Sequence, residues 1–330
     1  MTPYPEILEG LIPGRHRWLV TGAAGFIGSH LTEALLSLGQ DVTALDDFSR
    51  GHQDNIFAAM ELSGSKASFR LINGSITNIE TCRSAVRGCD YVLHHAALAS
   101  VPESLADPVH YHEVNATGFM NILQAAREAG VKRVVYASSS AVYGDDETMP
   151  KVEAKIGKSL SPYAMTKYIN EVCAEFFTRV YGLECAGLRY FNVFGPRQDS
   201  NGAYAAVIPK WIEAVRAGRV PVIYGDGSAT RDFCAVHNVV KANVLAAFCA
   251  EAAGKVFNIG CGVSTTLNEL LGKIYAVFAP GAEAECIHEN PRDGDILHSC
   301  ASIGLAQRVL KFRPAVYLEE GLQLIHDYQA

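Results

Sequence analysis

Thr21-Gly22-Ala23-Ala24-Gly25-Phe26-Ile27-Gly28 decides the fold. The apolar run Arg17-Trp18-Leu19-Val20-Thr21 leads into it, and a helical pattern from Ser29 to Leu38, closed by Gly39, leads out. Strand, glycine loop and helix in that order form the setting in which such a motif carries a dinucleotide. Gly22 permits the tight turn, Gly25 lets the backbone approach a pyrophosphate, and Gly28 lets the helix pack closely on the strand. Phe26 and Ile27, inside the motif, are counted with it as cofactor-binding. The spacing Gly-x-x-Gly-x-x-Gly differs from the commoner Gly-x-Gly-x-x-Gly.

Working outward, the second strand, Asp41 to Leu45, ends at Asp46-Asp47. An acid about 20 positions past the loop binds the hydroxyls of an adenine ribose and repels a 2′-phosphate, which favours NAD over NADP. Arg50 pulls the other way, because a nearby guanidinium can neutralise such a phosphate. Further strands at Ser68–Ile72 and Tyr91–His94 lead to Ser75-Ile76 and to His95-Ala96-Ala97, where small residues would let a cofactor lie close. A helix over 115–129 precedes the strand Arg133–Ala137, which opens into Ser138-Ser139-Ser140-Ala141-Val142-Tyr143-Gly144. This alternation predicts an α/β fold, a doubly wound parallel Rossmann sheet with ligands at the carboxyl ends of its strands. His94 and His95 have no partners at metal-ligand spacing, so no metal is expected.

Ser161-Pro162-Tyr163-Ala164-Met165-Thr166-Lys167 supplies the candidate chemistry. Ser161 reads as an N-cap and Pro162 as a first helical residue. Tyr163 and Lys167 then share one face, a turn apart. An ammonium beside a phenol favours the phenolate; bringing its pKa from about 10 to near 7 asks for about 4 kcal/mol, which one cation in a dry pocket plus a positive nicotinamide could supply. The result is a general base, with a hydroxyl of the serine run, Ser139 or Ser140, orienting the substrate oxygen.

After Arg189 the pattern loosens, giving two expected regions. Residues 1–189 form a dinucleotide-binding domain, with 1–15 as an N-terminal extension and a short helix over 4–12. Residues 190–330 form a smaller, mainly substrate-binding α/β region, with 232–262 returning to the first. The 330-residue chain is 49% hydrophobic, with mean hydropathy +0.09, net charge −7 and pI about 5.9. That balance argues against nucleic acid or an anionic membrane as partner. Nine scattered cysteines without Cys-x-x-Cys pairs read as core residues of a reducing compartment. Without a signal peptide or an 18-residue apolar run, a cytoplasmic protein is expected.

Together with Asp46, His94-His-Ala-Ala-Leu98, Leu188-Arg-Tyr-Phe-Asn-Val-Phe-Gly195, Gly225-Asp-Gly227, Thr230-Arg-Asp232 and Arg292-Asp-Gly-Asp295, these motifs carry a resemblance along essentially the whole chain. The chain resembles the extended short-chain dehydrogenase/reductases of the nucleotide-sugar branch, most closely bacterial UDP-N-acetylglucosamine 4-epimerases of surface-polysaccharide synthesis. The resemblance implies bound NAD, Ser139 as the orienting hydroxyl, Tyr163 as base and Lys167 as its activator. It implies that Asn192, Arg231 and Arg292 hold the diphosphate of a UDP-sugar and that Asp295 meets the uridine ribose. Ser75 stands where relatives carry an Asp near the adenine. Dehydratases and decarboxylases of the branch place carboxylic acids after the catalytic hydroxyl, whereas this chain has Ser140-Ala141. Ser299 matches a bulky Tyr that lines the sugar pocket of UDP-galactose 4-epimerases. With Ala99, Ala206 and Val207 it is expected to leave room for an N-acetyl group, on the hexosamine or its 6-carboxylate. UDP-glucose or UDP-glucuronate 4-epimerases are the alternatives. A homodimer is expected through helices around 103–129 and 161–180, with Val172, Phe176 and Val180 at the seam.

Overall fold

The computed structural model describes residues 3–200, 206–291 and 297–329. In chain order the first part runs α1 (Tyr4–Ile7), β1 (Arg17–Thr21), α2 (Phe26–Ser37), β2 (Asp41–Asp46), α3 (Gln53–Ser63), β3 (Phe69–Asn73), α4 (Ile79–Val86) and β4 (Tyr91–His94). It continues with α5 (Val101–Ala106), α6 (Pro108–His112), α7 (Gly118–Glu128), β5 (Arg133–Ser139), α8 (Pro162–Tyr181) and β6 (Glu184–Tyr190). These six strands and the strand Lys255–Ile259 form one parallel sheet of seven, ordered 255–259, β6, β5, β4, β1, β2, β3. The order reverses beside β1, and Thr21 pairs with Leu45 on one side and His94 on the other. Apolar runs such as Trp18-Leu19-Val20 and Val92-Leu93 are buried on both faces, as helices on both sides of a parallel sheet require. One core packs α2 and the helix Val236–Phe248 on the first face; another packs α4, α7 and α8 on the second. A separate cluster joins the helices Val207–Arg216, Leu267–Phe278 and Leu318–Gln329.

Several boundaries differ from the sequence reading for identifiable reasons. The helix expected over 4–12 is one turn, Tyr4–Ile7, because the chain turns at Leu8 and Gly10 takes φ +68°. The helix expected from Ser29 starts at Phe26, immediately after the extended Gly25. The helix expected over 115–129 is α-helical only from Gly118, because Glu113–Thr117 is a π-helical turn. β5 runs two residues beyond Ala137, since Ser138 and Ser139 still pair with Arg189 and Tyr190. All nine cysteines are unpaired, and Cys82, Cys89, Cys185, Cys234 and Cys261 are buried. Among the described residues, no helix is long and apolar enough to cross a membrane.

The short α1 seats Tyr4 in a buried polar cluster. The Tyr4 hydroxyl lies 2.6 Å from His30 Nδ1, His30 Nε2 lies 2.9 Å from the Pro196 carbonyl, and Arg197 donates to Glu33 at 2.5 Å. Burial drives the His30 pKa well below its ordinary value and that of nearby His237 to about 4, the Arg197 charge adding to both. Below about pH 6.5 the unfolded chain therefore takes up protons that these folded imidazoles refuse, so stability falls with pH. Each histidine contributes a slope of up to about 1.4 kcal/mol per pH unit, ending at its folded pKa. Urea midpoints should fall between pH 6.5 and about 4, the window that the His237 shift sets. His237→Asn should flatten that dependence by about one histidine's share; an unchanged slope would show that His237 is not one of its sources.

Candidate active site

At the end of β1 the Gly22 amide donates to the Leu45 carbonyl at 2.8 Å, and the residue takes φ +66°. A Cβ there would lie 2.7 Å from the Ala96 nitrogen; one on Gly28 would lie 1.9 Å from the Gly22 oxygen. These two glycines are thus demanded by the turn and by the close seating of α2. A Cβ on Gly25 would meet nothing nearer than the Gly22 oxygen at 3.2 Å, so that side of the loop is open. No side chain caps α2, and helix geometry leaves the amides of Phe26, Ile27 and Gly28 without intrahelical acceptors. An open glycine turn beneath an uncapped helix N-terminus fits the diphosphate of a dinucleotide. The Phe26 ring itself turns inward, edge-on to His30 at 5.8 Å, so its backbone is the part that faces the loop.

The cleft continues along Asp46, Asp47, Gly74, Ile76, Ala96 and Ala97. Asp46 is buried, its Oδ2 accepting from the Ala24 amide at 2.9 Å and its Oδ1 from Phe48 at 2.8 Å. Burial raises its pKa and those two amides oppose the rise. Asp47 accepts from the Ser49 amide and hydroxyl. Ser75 does not line the cleft: its Oγ accepts from the Thr77 amide at 3.3 Å and hydroxyl at 3.0 Å, which holds the turn. His94 Nδ1 sits 2.8 Å from the Thr21 hydroxyl and His95 Nε2 2.8 Å from that of Tyr190, so both are engaged in packing contacts. Among the described residues no three potential ligands gather as a metal site.

The serine run divides by what each hydroxyl meets. Ser138 donates to Glu171 Oε1 at 2.5 Å, and Glu171 is paired with Arg189, Oε2 to Nη2 at 2.7 Å and Oε1 to Nε at 2.9 Å. Ser139 faces the Tyr163 phenol, and its Oγ also accepts from the Ala141 amide at 3.1 Å. Ser140 starts a single 3₁₀ turn, Ser140–Tyr143. Across from it Ser161 caps α8 by accepting from the Ala164 amide at 3.1 Å, with Pro162 first in the helix. Lys167 lies 5.9 Å from the Tyr163 ring centroid and donates to the Ala137 carbonyl at 3.0 Å. The sequence reading lowers the phenol pKa with Lys167 and a positive nicotinamide together; the protein's own groups by themselves act the other way. Burial raises Tyr163, the Ser139 hydrogen bond opposes it, and Tyr111 adds a smaller rise; burial also lowers Lys167 to about 8.

Sequence reasoning missed Asn115. It exchanges two hydrogen bonds with the backbone of Leu98, at 2.8 and 2.9 Å, and donates to Thr166 at 3.1 Å. The strap after β4 is thereby fixed to α8 beside Tyr163. The signal was available as one buried amide on the face that also carries Tyr111 and Phe119.

A second cavity of about 1430 Å³ is lined by Asn192, Ala206, Val207 and Arg231, among others. Asn192, at φ +21°, donates to the Asp232 carbonyl at 3.3 Å, and Arg231 Nη1 donates to the Thr230 carbonyl at 2.9 Å. Asp232, buried, accepts from the amides of Cys261, Gly262 and Ala301 and so fixes the strand that bears Arg231. Ala99 and Ser299 line neither cleft. Ala99 is exposed on the strap before α5, and the Ser299 amide is drawn to the Thr230 carbonyl at 3.1 Å, beside Arg231. Arg292 and Asp295 lie outside the described residues.

Residues 18–260 match the model of the NAD dependent epimerase/dehydratase family. A UDP-glucose 4-epimerase of Mycolicibacterium smegmatis is 39% identical, over 93% of this chain and 96% of that one. A solved UDP-N-acetylglucosamine 4-epimerase from Methanobrevibacter ruminantium, in complex with UDP-N-acetylmuramic acid, is 37% identical. It superposes with a TM-score of 0.89 over 96% of this chain and 99% of that one. A Thermus thermophilus UDP-glucose 4-epimerase solved with NAD is 34% identical, with a TM-score of 0.82 over 94% and 98%. The chain belongs to the NAD dependent epimerase/dehydratase family. NAD is its cofactor, and the glycine turn, the N-terminus of α2 and Asp46 have the shape and charge to receive it.

If Ser139 serves Tyr163, Ser139→Ala should lower kcat by on the order of 10²-fold or more, with folding intact. Ser138→Ala should instead cost about 1–3 kcal/mol of stability, by leaving Glu171 short of a buried donor, and spare most of kcat. Steady-state rates and urea melts of both variants check the division; the reverse pattern would exchange the two roles.

Proposed function

We propose that the protein is a 4-epimerase interconverting UDP-N-acetylglucosamine and UDP-N-acetylgalactosamine, or their 6-carboxylates. The observation that carries the reading is the group Ser139, Tyr163 and Lys167, with Ser139 followed along the chain by Ser140 and Ala141 rather than by acids. Expelling water from a sugar needs a proton donor for the leaving hydroxyl, whereas inverting C4 needs proton transfer at one oxygen only. Ser139 orients the C4 hydroxyl, and Tyr163 takes its proton and later gives it back. Lys167, anchored on the Ala137 carbonyl, keeps a positive charge beside that exchange below about pH 8. NAD, when bound, accepts the C4 hydride and returns it. Inversion requires the oxidised sugar to present its other face, so the nucleotide must be gripped while the sugar is held loosely. Asn192 and Arg231 on the cavity wall suit the diphosphate, with Arg292 and Asp295 assigned to the nucleotide by resemblance alone.

Small Ala206 on the cavity wall supports an acetylated sugar. The name of the M. smegmatis relative favours the second reading, UDP-glucose and UDP-galactose. A methylene-sized pocket difference discriminates only about 10- to 200-fold, so unacetylated sugars should turn over slowly. Proton NMR of the holoenzyme with UDP-GlcNAc, UDP-Glc and their 6-carboxylates should show fastest exchange at C4 of an acetylated substrate. Ala206→Tyr should move the preference toward plain sugars; equal loss on both would remove Ala206 from the specificity argument.

The same reading includes a homodimer. Leu105 on α5, Val109 on α6, and Met165, Tyr168, Val172, Phe176 and Val180 along α8 are all exposed, by 41 to 77%. α5 and α6 both pack against α8, so these side chains form one apolar face of the kind that marks an interaction surface. Val172→Glu with Phe176→Glu should convert a dimer to a monomer in light scattering behind gel filtration. A parent chain that is already monomeric would exclude the interface.

A further inference from the structure

The adenosine end of the NAD cleft contains an ion pair that proton transfer at C4 does not use. Arg50, on the loop after β2, extends its guanidinium to Glu103 on the first turn of α5, Nη2 to Oε2 and Nη1 to Oε1. Glu103 Oε2 also accepts from the Tyr111 hydroxyl at 3.4 Å, and that hydroxyl accepts from the Ser100 amide at 3.1 Å. Glu103 is thus tethered to the start of α5 and to α6. Arg50 lines the same wall as Asp46 and Asp47, and it is the only arginine or lysine among the described residues there. A guanidinium that spends two of its five N–H donors and its charge on one carboxylate is a weaker partner for a phosphate.

We propose that Glu103 is a positioning residue for cofactor choice, acting through Arg50 to exclude a 2′-phosphorylated dinucleotide. Asp46 repels a 2′-phosphate directly. Glu103 closes the remaining route by withholding the one cation on that wall that would complement it. With Glu103 in place, the formal charge of Asp46, Asp47, Arg50 and Glu103 is negative by two; without it, negative by one and with a free fork. The pair is more than half exposed on the Arg50 side, so its effect is modest and screened by salt.

The test uses the holoenzyme as purified, with Glu103→Gln, Arg50→Gln and the double variant. Each is incubated with equal excesses of NADP and isotopically labelled NAD, passed through gel filtration, and the retained dinucleotides are quantified by mass spectrometry. Glu103→Gln should raise the retained NADP:NAD ratio by about three- to tenfold, and about 0.5 M salt should shrink that gain. Arg50→Gln breaks the same contact but removes the cation, so it and the double variant should show no gain. An unchanged ratio in Glu103→Gln would overturn the proposal. A gain shared by Arg50→Gln would also overturn it, because that would mark the pair as a latch on the cleft and not a filter.

Discussion

A buried carboxylate cannot be left without partners, and Glu171 sets the pose of α8 for that reason. Tyr163, Lys167 and Glu171 recur every four residues, so they form one stripe on the helix face that meets the sheet. Each finds its partner on β5 or β6: Tyr163 meets Ser139, Lys167 the Ala137 carbonyl, and Glu171 both Ser138 and the fork of Arg189. Removing one member of such a buried pair costs about 3–5 kcal/mol, far more than a slight rotation of the helix would recover. The ion pair thus fixes which face of α8 lies against β5, and the Tyr163 phenol is aimed as a consequence.

The same strands join that chemistry to the two clefts. Arg189 locks α8, and the next residue, Tyr190, reaches the end of β4 through His95 and the helix Val236–Phe248 through Asn243. Two residues further on, Asn192 looks into the larger cavity. Three residues at one strand end therefore serve three elements and the larger cavity. This is where an open parallel sheet places ligands, outside the carboxyl ends of its strands beside the reversal of strand order. Asn115 does the equivalent for the strap after β4 by exchanging hydrogen bonds with Leu98. The π-helical turn that holds Asn115 belongs to a class of distortion often found at functional sites.

What can be read from the sequence is what is local. The glycine turn, the Ser161 cap and the spacing of Tyr163 and Lys167 each depend on a few consecutive residues, and their geometry follows from φ constraints and helix periodicity. The choice between Ser139 and Ser140 stays open in the sequence because it depends on where β5 ends, which pairing with β6 decides. The Arg50–Glu103 contact joins residues 53 apart, with nothing in either neighbourhood to announce it. Analogy of position puts Ala99 and Ser299 at the sugar, but local packing turns one to solvent and draws the backbone of the other to Thr230. Proximity of a cation to Tyr163 is visible in the spacing, whereas the size of the burial that opposes it is not.

Burial disfavours charge on both partners, raising the phenol and lowering the ammonium. On the proposed reading, Tyr163 would gain basicity when a positive charge is bound beside it, and an oxidised nicotinamide held in the cleft would supply that charge. On that reading the burial of Lys167 and the half-burial of Tyr163 leave the proton affinity of the phenol to be set by what binds beside it.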